Sequence, residues 1–136
     1  MGELTAHVDL PMEPPALAAA RQMVRTVLSV WGFRDPDWVD DAVLVAVELV
    51  GNAVRHGNGR LELRVSAEGD QVTISAVDGS AVVPRRRPVD SDGGRGLGII
   101  EALLQAWGVE EYHGGKLVWI RLTPPSPQPG LTTGER

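Results

Sequence analysis

One uninterrupted stretch sets the framework of this chain. Asp35-Pro36 is a strong helix start, with Asp as N-cap and Pro at the first helical position, where a missing N–H does no harm. Asp37 suits the positive helix end. From Trp38 to His56 only Gly51 disfavours helix, and Gly57 closes it. The period then changes. Leu61, Leu63 and Val65 alternate through Arg60 to Ala67, and Val72, Ile74 and Ala76 through Gln71 to Val77, with Glu68-Gly69-Asp70 between them. That pattern is a β-hairpin, and a long striped helix beside a hairpin suggests helices packed on a sheet.

The flanking segments extend this plan. Leu4 to Leu10 alternate and stop at Pro11, a first strand. Pro14 and Pro15 open an Ala-rich helix whose stripe is Leu17, Ala20, Val24, Val27, Leu28 and Trp31, with Gly32 as its stop. Residues Gly79 to Gly94 form a polar loop longer than a connector needs, as in lids and binding loops. Leu97, Ile100, Leu103, Leu104 and Trp107 predict a third helix over Leu97 to Trp107, with Gly108 past its end. Strands over Val109 to His113 and Leu117 to Leu122 turn through Gly114-Gly115. The expected fold is α+β: a two-layer sandwich of a mixed, mostly antiparallel sheet with helices on one face. Residues 1–123 read as one domain, and the Pro-rich residues 124–136 as a disordered tail.

Composition narrows the chemistry. The chain has 136 residues and no cysteine, which excludes disulfides, a catalytic thiol and cysteine-ligated zinc. His7, His56 and His113 are scattered, without metal-ligand spacing. Eighteen acids against thirteen bases give a net charge of -5, a balance that repels nucleic acid phosphates. No apolar run is long enough for a membrane span and the N-terminus has no signal-peptide pattern, so the expected location is cytoplasmic.

Three polar features stand out. Glu48 and Asn52 lie four residues apart, on one helix face within an otherwise apolar run, and His56 extends the row. Glu can serve as a general base and Asn can offer a carbonyl oxygen to a hard cation such as magnesium. The plain alternative is that they cap nearby backbone or face solvent. Second, Gly93-Gly94-Arg95-Gly96-Leu97-Gly98 opens a helix after the long loop. Such glycines let backbone N–H groups approach an anion, and an arginine adds a planar fork for phosphate; a merely flexible loop would use them too. The spacing supports neither a Rossmann nor a P-loop reading. Third, Asp78 ends a strand in Ser75-Ala76-Val77-Asp78-Gly79-Ser80, where a carboxylate can accept from an exocyclic amine such as that of adenine. Asp-Gly is also a common turn.

Taken in order, a helix carrying Glu-x-x-x-Asn-Ala-x-x-His-Gly, a strand ending in Asp and a glycine-rich lid opening a helix resemble the GHKL ATPase superfamily, and more narrowly its small anti-sigma-factor serine kinases. The resemblance spans about residues 4 to 123, including the ending Trp107 to Leu122. It implies Glu48 as the catalytic base, Asn52 as the magnesium ligand and Asp78 as the reader of adenine. It also implies Gly94, Gly96 and Gly98 as the glycine box around the phosphates, with Arg95 and Leu97 between them and His56 on the nucleotide side. ATP and Mg2+ are the implied cofactors. An anti-sigma-factor antagonist-like protein or a sigma factor is the implied partner, and a homodimer the implied working form. The first glycine box departs from the superfamily pattern, with Ser80 and Val82 where glycines are expected. The resemblance therefore supports a kinase acting on Ser or Thr of a small partner, with an ATP-sensing module that sequesters its partner without catalysis as the alternative. An ATPase unit detached from a larger machine ranks last.

Overall fold

The computed structural model of the chain describes residues 2–81 and 104–125. In them β1 (Leu4–Leu10) leads into α1 (Pro15–Val30) and α2 (Pro36–His56), followed by β2 (Leu61–Glu68), β3 (Gln71–Asp78), β4 (Leu104–Tyr112) and β5 (Gly115–Leu122). The five strands form one sheet in the order β1-β2-β3-β5-β4. Every described pairing is antiparallel, so the sheet expected to be mostly antiparallel is wholly so across these strands.

Local chemistry explains the element ends. The Asp35 carboxylate accepts from the Trp38 N–H at 3.0 Å, which satisfies one free donor of the first turn of α2. At the other end the Gly57 N–H donates to the Ala53 carbonyl at 2.7 Å. Gly69 turns β2 into β3 with φ of 63°, the positive first central position of a type II′ turn. His113 and Gly114 join β4 to β5 with φ of 49° and 83°, as a type I′ turn requires.

One core lies between the layers. Leu61, Leu63 and Val65 of β2, Val72, Ile74 and Ala76 of β3, and Val118, Ile120 and Leu122 of β5 face it at every second position. Ala16, Ala20, Val24 and Leu28 of α1 recur every four residues and are buried in the same cluster. Along α2 the buried set is wider, from Trp38 and Val39 to Val50 and Ala53, because this helix contacts both α1 and the sheet, chiefly β3. A buried Leu, Ile or Val side chain contributes about 1.5–3 kcal/mol. The opposite sheet face carries polar groups: His7 Nδ1 lies 3.0 Å from Glu62, and Arg64 donates to Glu62 at 3.1 Å and to the Tyr112 hydroxyl at 2.5 Å.

The helix expected over Leu97 to Trp107 needs correction at its end. Residues 97–103 lie outside the described residues, but Leu104 to Trp107 belong to β4, where Leu104 pairs with Leu122 and Trp107 with Ile120. Helical spacing in Leu103, Leu104 and Trp107 masked a second period, in which Trp107 and Val109 both pack against the core. Gly108 is no helix stop. A Cβ there would lie 2.6 Å from the Trp119 ring, so this mid-strand glycine makes room for the indole.

Burial, followed by the charges of Asp37, Asp40 and Asp35, pushes the Asp41 carboxyl above its usual range. A carboxyl raised by folding binds its proton more tightly in the native state, so its ionisation weakens the fold as pH rises. Asp41→Asn should therefore raise the melting temperature near pH 7, and the gain should fade below about pH 4, where both states hold the proton. Thermal scans at both pH values check this; an equal gain at each would exclude ionisation as the cause.

Candidate functional site

Asp78 follows Ile74 and Ala76 by the two-residue period of β3 and so sends its carboxylate toward the helix layer, where it is 3% exposed. Directly opposite, in the β3–β5 register, stands Lys116, itself 7% exposed. The Lys116 ammonium lies 3.1 Å from both carboxylate oxygens. Asp78 Oδ1 also accepts from the Ser80 backbone N–H at 2.7 Å. Charge-assisted hydrogen bonds of this kind are what let two charges remain buried.

The C-terminal end of α2 is fastened to the same spot. A Cβ on Gly57 would lie 2.7 Å from Asp78 Cγ and 2.8 Å from Oδ2, so only glycine lets the helix end touch the carboxylate. One residue on each side, the Gly79 N–H donates to the Asn58 carbonyl at 2.7 Å. Helix closure and strand end thus form one junction, with the Asp78–Lys116 pair inside it.

Glu48 and Asn52 are half-buried on α2, whereas His56, at the last turn, is exposed. Neither Glu48 nor Asn52 lacks a partner. Arg55 Nη2 donates to Asn52 Oδ1 at 2.6 Å. An amide oxygen is a hard donor of the kind a small divalent cation takes. This donor suits magnesium, which keeps most of its waters and takes one or two protein oxygens. Asp78, a buried carboxylate acceptor, suits the amine of a purine.

The structure thus brings Asp78 against the end of the helix that carries Glu48, Asn52 and His56. Gly94, Arg95, Gly96, Leu97 and Gly98 lie outside the described residues, as does most of the expected lid. Sequence reasoning missed Lys116. Two signals pointed to it: it is the chain's single lysine, and it precedes Val118, Ile120 and Leu122 at the same alternating, inward-facing positions.

Removing one member of a buried pair strands the other. Asp78→Ala should cost about 3–5 kcal/mol of folding stability, and adding Lys116→Met should recover much of that loss. Urea denaturation of the single and double variants measures both. A double variant as unstable as the single one would mean that the carboxylate supports the fold through Ser80 and not through the lysine.

The family model for the histidine kinase-like ATPase domain matches residues 10–122. No curated protein is matched. Among solved structures, the chain is similar to the RsbU and RsbW domains of Rv1364c from Mycobacterium tuberculosis, with 23% identity and a TM-score of 0.66. The match covers 89% of this chain and 32% of that one, so the chain spans about a third of the solved protein's length. At that identity the likeness concerns the fold.

Proposed function

The chain belongs to the histidine kinase-like ATPase domain family, and on that premise we propose that it is an ATP-binding regulatory protein of the anti-sigma-factor type, transferring the γ-phosphoryl group to a serine or threonine of a small partner protein. The observation that carries this reading is the buried Asp78 carboxylate, held at the end of β3 against the closing glycine of the helix that bears Glu48 and Asn52. A nucleotide-binding site needs a base reader and phosphate-side groups on adjoining elements. Asp78 and α2 supply that arrangement.

In this mechanism Asp78 orients the nucleotide by accepting from the adenine amine. Asn52 Oδ1 is the protein ligand for magnesium, which when bound supplies charge neutralisation across the phosphates. Gly94, Gly96 and Gly98, with Arg95 and Leu97, form the phosphate box carried over from the family motif, and His56 lies on the nucleotide side. Glu48 takes the proton of the partner's hydroxyl as its oxygen bonds to the γ-phosphorus and the bond to the ADP oxygen breaks. Catalysis is then mostly positioning. The partner is an anti-sigma-factor antagonist-like protein or a sigma factor, the working form is a homodimer, and the compartment is the cytoplasm. Among the described residues no helix is long and apolar enough to cross a membrane.

A second reading, an ATP-sensing module that sequesters its partner without catalysis, is favoured by Ser80, which is buried where the family's first box has glycine. Glu48→Gln separates the two. On the kinase reading this variant binds ATP as the wild type does in calorimetry, yet transfers label from γ-labelled ATP to its partner about a hundredfold to ten-thousandfold more slowly. The candidate partners to assay are antagonist-like proteins and sigma factors from the same organism. Equal transfer by both proteins, with ATP bound in each, removes the catalytic role of Glu48.

A further inference from the structure

The Asp78–Lys116 pair has hydrogen-bonding capacity that the described residues leave unused. A carboxylate offers about four acceptor sites, and Asp78 receives the Ser80 N–H on Oδ1 and the Lys116 ammonium across both oxygens. At least one acceptor site remains. An ammonium has three N–H donors, and among the described residues Lys116 bonds to Asp78 alone. At least one donor remains as well. Both groups are buried, where unmet donors and acceptors are costly. The backbone register fixes them side by side. A ligand that satisfies both must present a donor next to an acceptor.

The residue type fits this task. Twelve of the chain's thirteen basic residues are arginine, and the one lysine stands here. Guanidinium is a flat fork suited to two oxygens of one acceptor group, whereas an ammonium is a compact donor that can serve a carboxylate and a second acceptor at an angle to it.

Adenine presents such an edge, with an exocyclic amine beside the acceptor ring nitrogen N1. Guanine has these roles reversed, with an acceptor at position 6 and a donor at position 1, so in the same orientation it meets both members of the pair wrongly. Building on the ATP-binding reading above, we infer that Lys116 is a second base-reading residue, donating to N1 of adenine while Asp78 accepts from the neighbouring amine. The pair then recognises two adjacent atoms of one purine edge, and affinity for ATP depends on the lysine as well as on the carboxylate.

The test uses 1-deaza-ATP, in which N1 is replaced by C–H and the amine is kept. In the wild-type protein, calorimetry should find ATP bound at least about tenfold more tightly than 1-deaza-ATP, the loss expected for one hydrogen bond from a charged donor. In Lys116→Met, which keeps an unbranched stem of four heavy atoms but lacks the ammonium, the two nucleotides should bind equally. Because Lys116 is the only lysine, protein labelled with 15N-lysine gives one ammonium signal, which should shift with ATP and stay nearer its free position with 1-deaza-ATP. That measurement needs no variant and stands even if Lys116→Met fails to fold. Equal wild-type affinities for the two nucleotides, an ammonium signal unmoved by saturating ATP, or tighter ATP binding by Lys116→Met would each overturn the role of Lys116 while leaving ATP binding intact. Absence of ATP binding by the wild type would instead remove the functional reading on which this inference rests.

Discussion

The contact between the end of α2 and the end of β3 is the constraint from which the site's geometry follows. A helix closed by Gly57 can bring its backbone against Asp78 because no Cβ intervenes, and the Gly79 N–H bonded to Asn58 holds the two ends together. Every polar group in the site depends on that seam. Glu48 and Asn52 take their places by counting back along α2, and Lys116 takes its place through the register that pairs it with Asp78. On the proposed function the two layers would supply complementary chemistry: the sheet a charged pair for a base, and the helix oxygens for a metal and a proton.

Elements whose period agreed with their end signals were legible in the sequence. The Asp35-Pro36 start and Gly57 stop marked α2, and the alternation after Arg60 marked the β2–β3 hairpin, because a single local pattern determined each. Leu104 to Trp107 were misread because apolar residues there satisfy a helical spacing and a strand spacing together, and the pairing with β5 that decides between them is distant in sequence. The same distance hid Lys116. Asp78 was visible as a strand-terminal carboxylate, but that it is already paired depends on a residue 38 positions away. The glycine-rich motif was legible as a pattern only, since it lies outside the described residues.

Holding an ion pair in this position has a thermodynamic cost that a purely structural role does not justify. Apolar residues of similar volume often stabilise a buried site as well as or better than a charged pair, and the inward-facing neighbours Leu61, Leu63, Ala76 and Val118 are all apolar and buried. Charges placed where packing would serve the fold better are characteristic of sites that must recognise something polar. Lys116 and Asp78 meet that description together, whereas the ion pair between Arg25 and Asp40, both exposed, has no such bearing on the core.

On the proposed function, electrostatics on α2 bears on the order in which nucleotide and metal would arrive. Asn52 Oδ1 is bonded by the exposed Arg55 guanidinium, so a bare divalent cation at that oxygen would sit close to a positive charge and be repelled by it. Phosphate oxygens carry the opposite sign and offset it. Magnesium is thus expected at this helix with the nucleotide and not before it, and the metal dependence of binding should appear as dependence on the magnesium complex of ATP. Titration of free magnesium into nucleotide-free protein should give no heat above dilution, while the same titration in the presence of ATP should tighten nucleotide binding in the wild type and much less in Asn52→Ala. Equal tightening in both would place the metal on some other oxygen of the site.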